Sequence, residues 1–146
     1  MALRVLIVDD EADARENLRL MLEEHCPEVQ VLGQAGSAAE ARNKIATLQP
    51  NALFLDIKMP GEDGFALLAS IAELDLPVVF VTAYDEYALK AFQQNALDYL
   101  EKPVDIDALQ RAVKKLLRQT DEISGPQPSA IAALMKDPAS PLSSRV

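Results

Sequence analysis

Apolar residues fall along this chain in short dense runs, separated by stretches in which they recur every three or four positions. The runs Leu3 to Val8, Val29 to Leu32, Ala52 to Leu55, Val78 to Val81 and Leu97 to Leu100 read as strands, several of them apolar at successive positions as strands buried on both faces must be. Between them, Leu18, Met21 and Leu22 mark a first helix, and Ala38, Ala41, Ile45 and Leu48 a second, opened by a Ser37/Glu40 capping box. Phe65, Leu68, Ile71 and Ala72 mark a third, Ala88 and Phe92 a short fourth, and Ile106, Leu109, Val113, Leu116 and Leu117 a fifth. Strand and helix thus alternate in (βα)5 order, which predicts an α/β fold on a parallel sheet. Beyond Gln119 the periodicity fades into Ser, Pro and Ala, and Pro126, Pro128, Pro138 and Pro141 interrupt any long helix. A helical turn or two over Ser129 to Lys136 would be marginal without something to pack on. The expected organisation is one domain over residues 1–119 and a linker or tail over residues 120–146, mobile on its own because its small residues offer little apolar surface to offset ordering entropy.

Composition narrows the function classes. The 146 residues are 49% apolar and 25% charged, as in an ordinary globular domain with a short extension. A net charge of −9 argues against this stretch holding DNA by itself, since such binding rests on neutralised phosphates. No apolar run approaches the ~20 residues of a membrane span, and the chain opens directly on a strand, so a soluble, cytoplasmic protein with no membrane partner is expected. Cys26, the only cysteine, excludes an internal disulfide, and with His25 beside it supplies too few ligands for a zinc site. The five glycines, at 33, 36, 61, 64 and 125, form neither a dinucleotide-binding fingerprint nor a P-loop.

In an open parallel sheet, ligands bind beyond the carboxyl ends of the strands. There the first strand runs into Asp9 and Asp10, the third into Asp56, the fourth into Thr82 and the fifth into Lys102. Singly, each has an ordinary explanation as a helix cap, a turn former or a solvated charge. Jointly they point elsewhere, because three carboxylates converging on one edge repel one another unless a cation sits among them. An acidic pocket for Mg²⁺, completed by a phosphate oxygen that Thr82 and Lys102 help to hold, is the sharper reading.

Val8-Asp9-Asp10, the run Asp56-Ile57-Lys58-Met59-Pro60-Gly61 followed by Gly64, Val81-Thr82-Ala83, and Lys102-Pro103 together resemble the receiver domain of two-component response regulators, over roughly residues 3–118. Val81 through Asp85, Tyr87, Ala88 and Phe92 to Ala96, Asp98, Tyr99, Leu100, Lys102 and Pro103 resemble more narrowly the receivers of LytTR-type regulators. The resemblance implies a flavodoxin-like, doubly wound five-stranded parallel sheet of order 2-1-3-4-5. It implies Asp56 as the phosphoacceptor, Asp9 and Asp10 as the acidic pair serving Mg²⁺, and the Lys58 carbonyl as a further metal ligand. Thr82 and Lys102 become phosphoryl contacts, Ala83 leaves room for the phosphoryl group, Tyr99 is the switch aromatic, and Lys102-Pro103 is cis. Gly61 and Gly64 are expected to supply positive φ in the turn after Asp56.

The implied phosphodonor is a phosphohistidine on a sensor histidine kinase or a phosphotransfer protein, and the product is a conformational signal, so a switch rather than an enzyme is expected. The readout is expected on the face formed by the fourth helix, fifth strand and fifth helix. Lys90, Lys114, Lys115 and Arg118 lie there against Asp98, Glu101, Asp105 and Asp107, a mixture suited to a phosphorylation-linked homodimer. LytTR-type regulators continue into a DNA-binding output domain absent from this chain, so DNA would be a partner only through that domain, with transcription as the output. A free-standing receiver acting by protein contact is the alternative. A Mg²⁺-dependent phosphohydrolase is a weaker one, because Asp56 is followed by Ile57 and Lys58 where such an enzyme wants a second carboxylate. A receiver never phosphorylated would be favoured by a missing acid, threonine or lysine, and none is missing.

Overall fold

The computed structural model describes residues 2–84, 90, 91 and 96–124, the last four by backbone alone. Its described strands are β1 (Leu3–Val8), β2 (Val29–Ala35), β3 (Ala52–Leu55), β4 (Val78–Thr82) and β5 (Asp98–Glu101). They form one sheet of order β2-β1-β3-β4-β5 in which every pair is parallel, the flavodoxin-like arrangement expected. The described helices are α1 (Ala12–His25), α2 (Ala38–Leu48), α3 (Gly64–Ser70) and a C-terminal helix, α4 (Ile106–Ser124), in the place of the fifth expected from the sequence. The chain divides into a unit ending at Leu116 and a second beginning at Leu117, of which residues 117–124 complete α4. Ala88 and Phe92, which marked the fourth helix, lie outside the described residues, as do Asp85, Tyr87 and residues 125–146. Lys90 and Ala91 are helical.

Alternation along the strands sorts the core into two layers. Leu6, Val8, Leu53, Leu55 and Phe80 join Ala41 and Ile45 of α2 and Phe65 and Leu67 of α3 in one cluster. Val5, Ile7, Phe54, Val79 and Val81 point the other way and are equally buried, as are Leu18 and Leu22 of α1 and Leu109, Val113 and Leu116 of α4. Gln110 donates to the His25 carbonyl at 3.1 Å, tying α4 to the end of α1, where Cys26 is buried. No described helix is long and apolar enough to cross a membrane.

Several elements differ from the expectation, among them β4, which takes in Thr82, and α4, which continues past Gln119 to Ser124. β2 runs on from Leu32 to Ala35, because Gly33, Gln34 and Ala35 pair with Leu6, Ile7 and Val8 after a register shift at Val5/Leu6. Backbone pairing there overrides a turn-like composition. The third helix is shorter than its apolar spacing suggests: α3 stops at Ser70, and a 3₁₀ turn at Ala72–Leu74 follows. Asp75 then takes the left-handed conformation at φ 52°, and Pro77 disfavours helix at Leu76, so the chain reverses into β4. β5 begins one residue later than expected, at Asp98.

Candidate functional site at the carboxyl edge of the sheet

Parallel pairing extends past the strand ends and brings the polar residues together. The Asp9 amide donates to the Ala35 carbonyl at 3.0 Å, the Asp56 amide to the Val8 carbonyl at 2.9 Å, and the Lys102 amide to the Thr82 carbonyl at 2.8 Å. Asp9, Asp56, Thr82 and Lys102 therefore occupy one edge at neighbouring rungs. Asp10 follows on the exposed side.

Asp9, Asp56 and Thr82 are the buried polar residues among those described. One carboxylate oxygen each from Asp9, Asp10 and Asp56 lies within 4.8 Å of the others. The Lys102 ammonium bridges two of them, donating to Asp9 Oδ2 at 2.7 Å and Asp56 Oδ2 at 3.2 Å. The remaining oxygens are also engaged, Asp9 Oδ1 by the Glu11 amide at 2.9 Å and Asp56 Oδ1 by the Ile57 amide at 2.8 Å. Burial, followed by the Asp9 charge, pushes the Asp56 carboxyl above its ordinary range, against the pull of Lys102 and a Thr82 hydrogen bond. Burial works against the Lys102 ammonium, but hydrogen bonding to Asp9 and the two carboxylate charges outweigh it and raise its pKa. This donor set fits Mg²⁺: three hard carboxylate oxygens close together, one on the open side where a cation keeps its waters.

The loop after β3 shapes the opening. Lys58 is exposed, and its ammonium lies 5.3 Å from the Tyr84 ring centroid across a cavity of about 380 Å³ shared with Asp10, Asp56, Pro60 and Lys102. Gly61 has the expected positive φ, 80°. Gly64 does not, and its reason is steric instead: its amide donates to the Ile57 carbonyl at 2.8 Å, and a Cβ there would collide with the Asp56 carbonyl oxygen. Gly64→Ala should therefore displace the Asp56 backbone and destabilise the fold by about 3 kcal/mol, as insertions into packed space do. Urea unfolding checks this. Asp63 caps α3, accepting from the Ala66 amide at 2.9 Å, and Arg42 of α2 grips Glu62 with both terminal nitrogens at 2.7 Å, anchoring the loop's far end.

The Lys102–Pro103 bond is cis, as the motif implied. Tyr99 is half-buried on β5, packs against the α2/α3 core layer, and its hydroxyl donates to the Tyr84 carbonyl. Thr82 Oγ1 accepts from the Tyr84 amide at 3.4 Å, so Tyr84 joins the loop after Thr82 to Tyr99. Sequence reasoning missed Arg15, whose guanidinium reaches the Asp9 carbonyl at 2.7 Å from α1. An arginine on an exposed helical stripe carries no such signal.

The sequence pattern of the response regulator receiver domain matches residues 5–114. An uncharacterized response regulatory protein of Vibrio cholerae is 50% identical over 118 residues, covering 80% of this chain and 49% of that protein. The transcriptional regulatory protein BtsR of Escherichia coli K12 is 42% identical over the same length and the same shares. The chain spans about half the length of the curated relatives it matches. Among solved structures, the REC domain of AraT, a response regulator from Geobacillus stearothermophilus, is 31% identical with a TM-score of 0.76, covering 86% of this chain and all of that one. The response regulatory domain of mrkE from Klebsiella pneumoniae is 28% identical with a TM-score of 0.73, covering 82% and 98%. With its sheet order, its acidic edge and its matched span in agreement, the chain belongs to the response regulator receiver domains of two-component signalling.

Proposed function

We propose that Asp56 is the phosphoacceptor of a signalling switch, and that the observation carrying this is the Lys102 ammonium held between Asp9 and Asp56 at the sheet's carboxyl edge. An Asp56 carboxylate oxygen attacks the phosphorus of a phosphohistidine on a sensor kinase or phosphotransfer protein. The new O–P bond forms as the P–N bond breaks, and the histidine nitrogen leaves and regains a proton from solvent. Lys102 and Thr82 then share the charge on the phosphoryl oxygens, with Ala83 leaving space beside them. Asp9, Asp10, Asp56 and the Lys58 carbonyl would hold Mg²⁺, which when bound neutralises charge and templates in-line geometry. The acyl phosphate is open to water, so the state is transient.

The readout runs through Thr82 and Tyr99. Moving the Thr82 hydroxyl towards a phosphoryl oxygen, to which it donates, displaces the oxygen that accepts from the Tyr84 amide, and the Tyr84 carbonyl is the acceptor for the Tyr99 hydroxyl. A shift at one is therefore felt at the other, biasing a two-state surface formed by the fourth helix, β5 and α4. Lys115 pairs with Asp98 at 3.2 Å within the chain, so a homodimer on this face would rest on its other charges. We read residues 120–146, of which 120–124 complete α4, as leading through a Pro/Ser/Ala-rich linker to an output domain, and the motifs from Val81 to Pro103 as supporting a LytTR-type transcriptional regulator. The 42% identity to BtsR, named a transcriptional regulatory protein, supports that output.

A small-molecule phosphodonor with Mg²⁺ should add a single phosphoryl group, seen by intact-mass analysis. No uptake, or uptake at several sites, would remove the reading. Asp10→Asn should weaken Mg²⁺ binding several-fold in calorimetry, since fewer carboxylates offset the stripping of waters from the ion. Unchanged affinity would take Asp10 out of the site.

A further inference from the structure

Behind the acidic pair stands a polar network to which nothing above assigns a role. Arg15, in the first turns of α1, donates from Nη1 to the Asp9 carbonyl oxygen at 2.7 Å and from Nε to Gln34 Oε1 at 3.1 Å. Gln34 is itself fixed. It pairs with Ile7 in the sheet, its carbonyl accepts from Lys44 Nζ at 2.5 Å, and its side-chain amide donates to Glu16 at 3.3 Å. Gly36 leaves room for the guanidinium: a Cβ there would sit 3.2 Å from Arg15 Nη1. The second strand, which ends without a candidate ligand, thus contributes the residue that aims the arginine.

The peptide between Asp9 and Asp10 is planar, so the Asp9 carbonyl and the Asp10 amide turn as one body. A charge-assisted bond to that carbonyl sets the plane, and with it the direction in which the Asp10 Cα presents its side chain. The Asp9 carboxylate is already held at both oxygens, by the Glu11 amide and Lys102. Asp10 is exposed, and its orientation depends on the backbone beneath it. We infer that Arg15, aimed by Gln34, is a positioning residue that presents Asp10 beside Asp9 to a divalent cation. This rests on the reading of the acidic edge as a Mg²⁺ site.

Charge alone predicts the opposite sign. Arg15 is a cation close to a cation site, so Coulomb repulsion makes its removal tighten Mg²⁺ binding. Groups that hold a ligand in orientation change metal affinity by about 10- to 100-fold when lost, in the weakening direction.

The test is calorimetry of the full 146-residue chain with Mg²⁺ alone, with amide spectra of each variant as the check on folding. Arg15→Gln should bind about tenfold more weakly. Gln34→Ala, which leaves every charge in place, should also weaken binding and shift the Asp10 backbone amide. In an Asp10→Asn background the Arg15→Gln effect should shrink, because the two act through one carboxylate. Equal or tighter binding by folded Arg15→Gln, or a full effect without the Asp10 charge, overturns the inference while the parent's own Mg²⁺ binding keeps the site. If Arg15→Gln loses its dispersed amide spectrum, Gln34→Ala decides: weaker binding sustains the inference and parent affinity overturns it. A parent chain that does not bind Mg²⁺ overturns both.

Discussion

Asp56→Asn should take up no phosphoryl group from a phosphodonor that modifies the parent, while folding at least as stably in metal-free buffer at neutral pH. The first half follows from chemistry. An amide oxygen of nearly the same shape keeps the hydrogen bond from the Ile57 amide but is a poor nucleophile towards phosphorus. The second half follows from burial. The Asp56 carboxyl titrates above its ordinary range because it is desolvated and faces Asp9, so the folded state binds its proton more tightly than the unfolded chain does. Stability then falls as pH rises from the unfolded pKa through the raised folded one, and the whole penalty is present once the pH lies above both. A neutral side chain escapes it. Loss of uptake with an unchanged or raised urea midpoint is the expected pair of results; uptake equal to the parent's would assign the nucleophile elsewhere.

Lys102→Ala should slow phosphoryl uptake by about 100- to 1,000-fold, the usual effect of removing one preorganised donor from developing negative charge. Its effect on the metal should have the other sign. With the ammonium gone, Asp9 and Asp56 lose the cation that bridges them at 2.7 and 3.2 Å, so Mg²⁺ meets a more negative site and binds more tightly. Slow uptake with tight metal binding separates a phosphoryl contact from a mere structural counter-ion, whose loss would disturb both together. Stopped-flow rates and calorimetry on the same preparation give the two numbers. Without metal the variant should be destabilised by about 2 kcal/mol, below the ~3–5 kcal/mol of a fully buried pair because Lys102 keeps some solvent contact.

What was legible beforehand follows a physical division. Asp9, Asp56 and Thr82 were readable because each directly ends an apolar run, and Lys102 because it follows one after Glu101; parallel strands deliver their carboxyl ends to one edge whatever the helices do. The sheet order was readable only through the family motifs. The extent of β2 was not, since Gly33 and Gln34 are drawn into the sheet by pairing with β1 and not by their own propensity. Nor was the break after Ser70, which depends on Asp75 adopting φ 52° ahead of Pro77. Gly64 was found for the wrong reason: the sequence suggested a special φ, and the fold instead presses its Cα against the Asp56 carbonyl. Arg15 was invisible because its partners, the Asp9 carbonyl and Gln34, come together only when α1 folds back along the sheet.

The central claim is that one particular carboxylate carries the phosphoryl group. Borohydride reduces an acyl phosphate in place, so treating the phosphorylated chain and mapping its peptides by mass spectrometry locates the modified side chain. Reduction confined to position 56 is the predicted result. Reduction at Asp9 or Asp10, or phosphate found instead on a serine, threonine or His25, would contradict the account.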